Sequence, residues 1–316
     1  MGTSGSYSHN STRNQIIEDA AELAGIYDPE GQTLTASQYT RYTRALNNMI
    51  MAWQADGLQI WTRKIGAVFL QKDQATYRIG PNADHSSLNY VATTLTSGSG
   101  TSIVVGDTTD MTAGDFIGIE QSAGTMYWTT IVSVDNATDL TLTLGGTDYL
   151  VDGQVWTYTT KLSRAIRVND GYVRQPSGGN DTPIMVLAEE QYMRFGVKTT
   201  TGLTTQVWYQ PLLTDGKIYC YPVPSTSNTI LFLEFHYPFQ DFVSSGDNPD
   251  FPNEWLMALV YGLAEHLGFS TGMDEKRLNM ITSKAMYWRN LALGTSQEDS
   301  VFFQPNTFIN YATSSH

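Results

Sequence analysis

The chain has one cysteine, Cys220, among its 316 residues. That excludes a disulfide framework within the monomer and any Cys-rich metal site, and it fits a reducing compartment. Charge is scarce as well. Asp, Glu, Lys and Arg make up 16% of the residues, against a usual ~25%. Cations are the scarcer sign: 18 Lys and Arg face 31 Asp and Glu, leaving a net charge of −13. No basic tract occurs. A nucleic-acid binder clamps phosphates with clustered Lys and Arg, so tight direct DNA binding is disfavoured, and so is binding to an anionic membrane. Also missing is any run of ~18 apolar residues, so no transmembrane helix is expected. The segment Met1 to Asn10 is Gly/Ser-rich without an apolar run, and does not read as a signal peptide. A soluble protein made in a cytoplasm is the expectation.

Catalytic signatures are missing too. The sequence holds no P-loop, dinucleotide glycine fingerprint, zincin motif or nucleophile elbow. His9, His85, His236, His266 and His316 have no metal-ligand spacing. His266 reads as a structural imidazole near a helix C-terminus, and His236 as a residue on the polar face of a strand. Cys220, between Tyr219 and Tyr221, reads as a small buried hydrophobe rather than a nucleophile. The acid pairs Glu18/Glu22 and Glu189/Glu190 read as solvated helix faces. Asp107, Asp110 and Asp115 miss the spacing of an EF-hand loop. No catalytic, cofactor-binding or metal-binding residue is assigned, and no cofactor is expected.

What the chain does have is 41% hydrophobic residues, enough for a sizeable core. Thr12 with Gln15 and Thr35 with Gln38 have capping-box spacing. Behind them Ile16, Ile17, Ala20, Leu23 and Ala24, then Tyr39, Tyr42, Ala45, Leu46, Met49, Ile50 and Trp53, recur at helical spacing. Gly25 and Gly57 close the two helices. Towards the other end, Asp250-Phe251-Pro252 opens a helix with the stripe Leu256, Leu259, Val260, Leu263 and Leu267, stopped by Gly268. A second helix runs from about Met273 to Leu293, with Leu278, Ile281, Ala285, Trp288 and Ala292 inward and Gly294 at its end.

Between these pairs the period switches to 2. Ile65, Ala67 and Phe69 alternate with polar neighbours, and Tyr77 and Ile79 follow. Short strands are predicted at 103–105, 116–119, 126–128, 131–134, 140–144 and 155–158, separated by Gly and Asp turns as in a small barrel or sandwich. From Ala92 to Thr160 there is no Lys or Arg, against eight acids. Beyond it, strands are expected at 166–168, 207–209, 217–221 and 229–237, with a short helix over 186–195. On the last strand Leu231, Leu233, Phe235 and Tyr237 make an apolar face opposite Ile230, Phe232, Glu234 and His236.

The fold class expected is α+β. N- and C-terminal helices form one helical bundle, with a central all-β, barrel- or sandwich-like insertion and an extended C-terminal arm. The divisions are a flexible arm over 1–11, bundle helices over 12–64, connecting strands over 65–91, the β insertion over 92–160, a β-rich region over 161–249, bundle helices over 250–294 and the arm over 295–316. The arm's isolated Phe302, Phe303, Phe308, Ile309 and Tyr311 cannot build a core. It is either disordered or docks on a partner, with those five residues as anchors.

The ends together carry a resemblance. Leu46-Asn47-Asn48-Met49-Ile50-Met51-Ala52-Trp53-Gln54-Ala55-Asp56-Gly57 is followed by Leu58 and Trp61. Ile218-Tyr219-Cys220-Tyr221-Pro222-Val223-Pro224 lies in the middle, and Asp250-Phe251-Pro252-Asn253-Glu254-Trp255 opens the last helical part. In this order the elements resemble the head-to-tail adaptor proteins of short-tailed bacteriophages, over about residues 12–305. The resemblance implies a virion protein at the head-tail junction, made in the host bacterial cytoplasm. It implies a homododecameric ring below the portal protein, with a C-terminal segment reaching the portal and a β region meeting the tail nozzle protein. Such a ring extends the DNA channel and retains packaged DNA without binding it specifically. No membrane contact is implied.

Two other readings differ in class. One is a peptidoglycan-degrading tail protein, which needs paired carboxylates in one cleft. The other is a glycan- or receptor-binding module in the β insertion, which needs Trp128 and Trp156 exposed on one face.

Overall fold

The computed structural model describes residues 11–31, 33–55, 62–175, 180–249 and 251–295. The chain divides into two compact units: Trp61–Phe239, and a helical unit made of Met1–Ile60 with Gln240–His316.

In the helical unit α1 spans Arg13–Leu23 and α2 Ala36–Ala55. Both open on the capping boxes read in the sequence. Gln15 Oε1 accepts the Thr12 N–H at 2.9 Å and Gln38 Oε1 accepts the Thr35 N–H at 2.8 Å, which satisfies donors a helix start leaves unpaired. A 3-10 turn at Asn253–Trp255 leads into α4, Leu256–Thr271, and α5 follows at Glu275–Thr295. The short helix α3, Glu189–Met193, belongs to the other unit. Helix α4 is the centre: α1, α2 and α5 all pack on it. Leu259, Leu263 and Leu267 of α4 are buried, as are Leu46, Ile50 and Trp53 of α2, the helix packed on it. Gly268 does not stop α4. It is buried within the helix, where a Cβ would come within 2.9 Å of Met273 Cε, so the glycine serves close packing of the α4–α5 turn. The stop is Gly272, at φ +70° in the left-handed region glycine favours. Gly294 likewise lies inside α5, which runs one residue past it.

The β unit has three larger sheets and a two-stranded one, in which β12 (Thr201–Gly202) pairs in parallel with β15 (Val223–Pro224). The first is β10-β9-β16-β1-β3, built from β1 (Arg63–Phe69), β3 (Ser86–Ser87), β9 (Arg167–Arg174), β10 (Asp181–Pro183) and β16 (Ile230–His236). The second is β11-β13-β14-β2, from β2 (Thr76–Ile79), β11 (Met185–Leu187), β13 (Gln206–Pro211) and β14 (Gly216–Tyr221). Leu231, Leu233 and Phe235 of β16, with Val207, Ile218 and Cys220, fill the sandwich between them. The third sheet closes on itself as a five-stranded barrel in the order β4-β7-β6-β5-β8: β4 Val91–Val105, β5 Phe116–Glu120, β6 Met126–Val134, β7 Asp139–Gly146 and β8 Gln154–Tyr158. Its interior holds Leu95, Ile103, Ile117, Ile119, Leu140 and Val155 among others. Closure removes the exposed edges that an open sheet of these threonine- and valine-rich strands would present.

Three sequence expectations need correction here. Residues 126–134 form one strand, with a register shift between Ile131 and Ser133. Thr129 and Thr130, read as a break, simply continue the ladder opposite Ile117 and Phe116. Residues 186–195 are not one helix. Val186 and Leu187 pair in parallel with β13, and only Glu189–Met193 turn helically, as α3. Finally, β16 has no solvent face along most of its length. Ile230 and Phe232 are buried by the barrel, and His236 is buried beside Asn169.

Candidate interaction surfaces

The expected anchors Phe302, Phe303, Phe308, Ile309 and Tyr311 lie outside the described residues. The surfaces that can be built residue by residue lie elsewhere.

The first is a cleft of about 330 Å³ in the helical unit, between α2, α4 and α5. Gly262 of α4 creates its floor: a Cβ there would stand 2.9 Å from Met49 Sδ and 3.0 Å from Trp53 Cζ2. The absent side chain lets both α2 side chains lie close on α4. Trp53 also meets Trp255, ring centroids 6.0 Å apart, and the Arg289 guanidinium of α5 sits 5.6 Å from a Trp53 ring. Phe269 and Met286 complete the walls yet are 67% and 61% exposed. Glu265 and His266 line the rim, so His266 stands at a cleft rather than serving only a helix end.

The second surface is the outward side of α5. Ile281, Ala285 and Ala292 are buried, while Met280, Tyr287 and Leu291 are 67%, 55% and 49% exposed. Positions i, i+7 and i+11 share one helix face, so α5 carries a second apolar ridge besides the one it buries. Lys284, its Nζ 5.7 Å from the Tyr287 ring, adds positive charge to that ridge.

The third is an aromatic seam inside the β unit. Trp156 and Tyr158 of the barrel stack on Phe69 of β1 at 5.2 and 5.5 Å. His85 lies flat on Trp128, 3.9 Å away with planes 7° apart, and hydrogen-bonds Tyr158 Oη through Nδ1 at 2.8 Å. Trp128 also lies over Gly118, where a Cβ would be 2.7 Å from its ring. Burial, with the Lys161 ammonium nearby, lowers the His85 pKa to about 4. Burial, then Arg167 and Arg63, lowers that of His236 to about 4 as well. Sequence reasoning missed the seam, because its members come from four distant stretches and each is ordinary in isolation.

The remaining chemically interesting residues are engaged locally. Cys220 is fully buried and its thiol pKa is pushed up by burial. Glu18 accepts a hydrogen bond from Tyr39. Asp107 holds the Thr109 N–H at 2.9 Å and Asp115 the Thr112 N–H at 2.7 Å, each serving its own turn. Among the described residues no group of three or more His, Cys, Asp or Glu could hold a metal ion, and no helix is long and apolar enough to cross a membrane.

A part with no catalytic cluster among its described residues, and with apolar surface left exposed on its helices, has the character of an assembly component. The family model described as SU10 adaptor protein matches residues 92–306, from the barrel through α5. The chain belongs to this family of phage head-to-tail adaptors, and its role is that of a virion structural protein. Comparison with curated proteins finds no match.

Proposed function

We propose that this adaptor assembles as a homododecameric ring between the portal protein and the tail nozzle, extends the DNA channel and retains packaged DNA. In this reading the helical unit acts as the ring-building bundle, and residues 295–316 are an arm anchored on the portal or a neighbouring subunit through Phe302, Phe303, Phe308, Ile309 and Tyr311. The observation that carries it is the α5 ridge. A helix that buries one stripe and exposes Met280, Tyr287 and Leu291 on another has apolar surface left for a partner. The family match supports the setting. The net charge of −13 supports passage of DNA without adhesion. The seam weighs against a glycan-binding face, because Trp156 is buried and Trp128 is covered by His85.

The test is particle-averaged electron microscopy of the protein alone and mixed with purified portal. Twelvefold rings seated on the portal are expected, and Met280→Glu with Leu291→Glu should disperse them. Rings unaffected by both charges would remove the ridge from the interface. Truncation after Thr295 should leave the melting temperature nearly unchanged and abolish stable attachment to portal-bearing heads. Truncated protein that attaches and seals heads as well as the intact chain would end the arm reading.

A further inference from the structure

We infer that the cleft between α2, α4 and α5 is the resting seat of the chain's own C-terminal aromatics, Phe302 and Phe303, before a partner is met. The inference rests on the docking-arm reading and adds to it a state in which the arm is sheltered.

The cleft is mostly apolar and lined by Met49, Trp53, Phe269 and Met286, two of them well exposed as described above. A volume of about 330 Å³ is at the small end of sites that enclose a ligand group, a size suited to one or two side chains rather than a helix. Sulfur and aromatic walls favour an aromatic guest, because thioether–ring and ring–ring contacts add to simple burial.

Chain length selects the occupant. Helix α5 ends at Thr295. At about 1.5 Å per residue, Met286 lies about 14 Å back along the helix from that end. Phe302 stands seven positions beyond Thr295, and seven steps of about 3.3–3.6 Å span up to about 25 Å. A chain reversing after α5 therefore reaches the cleft with slack for the turn. Charge agrees: the acidic pair Glu298-Asp299 precedes the aromatics, and Arg289 stands on the wall the segment would pass. Because the linker is short, the seat is occupied at high effective concentration in the same chain, and a portal must compete the arm out.

The test uses the full chain carrying Phe269→Cys and Phe302→Cys, oxidised mildly at low protein concentration. Phe269 is exposed and Phe302 lies past the helical core, so folding is preserved, and the native Cys220 is buried away from oxidant. A disulfide within one chain is expected, at several-fold higher yield than for Met280→Cys with Phe302→Cys, where the partner cysteine lies on the other exposed side of α5. Amide exchange, which needs no substitution in the cleft, supplies a second readout. Residues 285–293 should exchange about tenfold faster in the chain truncated after Thr295. Equal yields at the two positions, a disulfide found only between chains, or exchange unchanged by truncation would each overturn the inference. If truncated protein still fails to attach to heads in those cases, the arm reading stands and only the resting seat is lost.

Discussion

Burial holds His85 and His236 in their neutral forms. A histidine whose folded pKa is about 4, against about 6.5 when unfolded, favours the fold only while neutral. Its contribution is complete above pH ~6.5 and is lost as pH falls from there towards 4. Asp107, Asp135, Asp181 and Asp247 have pKa values lowered by hydrogen bonds, and their contribution fades only below the ordinary carboxylate range. The two windows are therefore separate. The melting temperature should fall between pH 6.5 and 4, and His85→Gln should flatten that limb; a limb of unchanged steepness would exclude His85 as a source. In the helical unit, Leu263 is fully buried on α4. Leu263→Ala should cost about 2–5 kcal/mol in denaturant unfolding, and a loss under ~0.5 kcal/mol would contradict its central position. Gly118→Ala should cost about 1–3 kcal/mol, because the new methyl meets the Trp128 ring.

Elements differ in how far their residues announce them. The capping boxes at Thr12 and Thr35 were legible because the signal is local: two side chains serve two N–H groups within one turn. Most barrel strands were legible as short Thr-, Val-, Ile- and aromatic-rich runs set off by Gly and Asp turns at regular intervals. Gly268 misled because a buried glycine and a capping glycine look alike in a sequence; only Met273 and Leu278 packed against it distinguish them. Val186-Leu187 misled because its partner, β13, lies about 20 residues on and pairs in parallel. Of the surfaces, the α5 ridge could have been found by noting that Met280, Tyr287 and Leu291 recur at helical spacing off the buried stripe. The cleft could not, since it depends on three helices meeting around Gly262. Residues 88–163 contain all five barrel strands and the interior cluster, so the fragment should melt cooperatively with a β circular dichroism spectrum. It should also self-associate, because Trp156 and Tyr158 lose the cover of Phe69 and Phe232. A random-coil spectrum would show that the first sheet is required for closure.

The two units dispose of their aromatic side chains differently. The β unit spends its aromatics internally, on the seam and under α3, where Tyr192 packs on Trp208 and Tyr219. The helical unit leaves Phe269, Met280, Met286 and Tyr287 outside. An assembly that forms through the helical unit's exposed side chains and leaves the β unit's internal ones intact would keep the β unit's stability nearly independent of assembly. Thermal unfolding followed by near-ultraviolet signals of the β unit should shift little between free protein and portal-bound rings, while helical signals shift upward.

The stretch without cations has an analytical consequence. Every strand of the barrel lies between Arg78 and Lys161, and no Lys or Arg interrupts that span. Trypsin acting on the fully unfolded chain therefore releases the entire barrel as one peptide, Ile79–Lys161. The closed sheet can be recovered from the authentic protein and asked to refold alone. Amine-directed cross-linking, by the same token, is blind to the barrel, so contacts it makes in a virion must be mapped through its carboxylates.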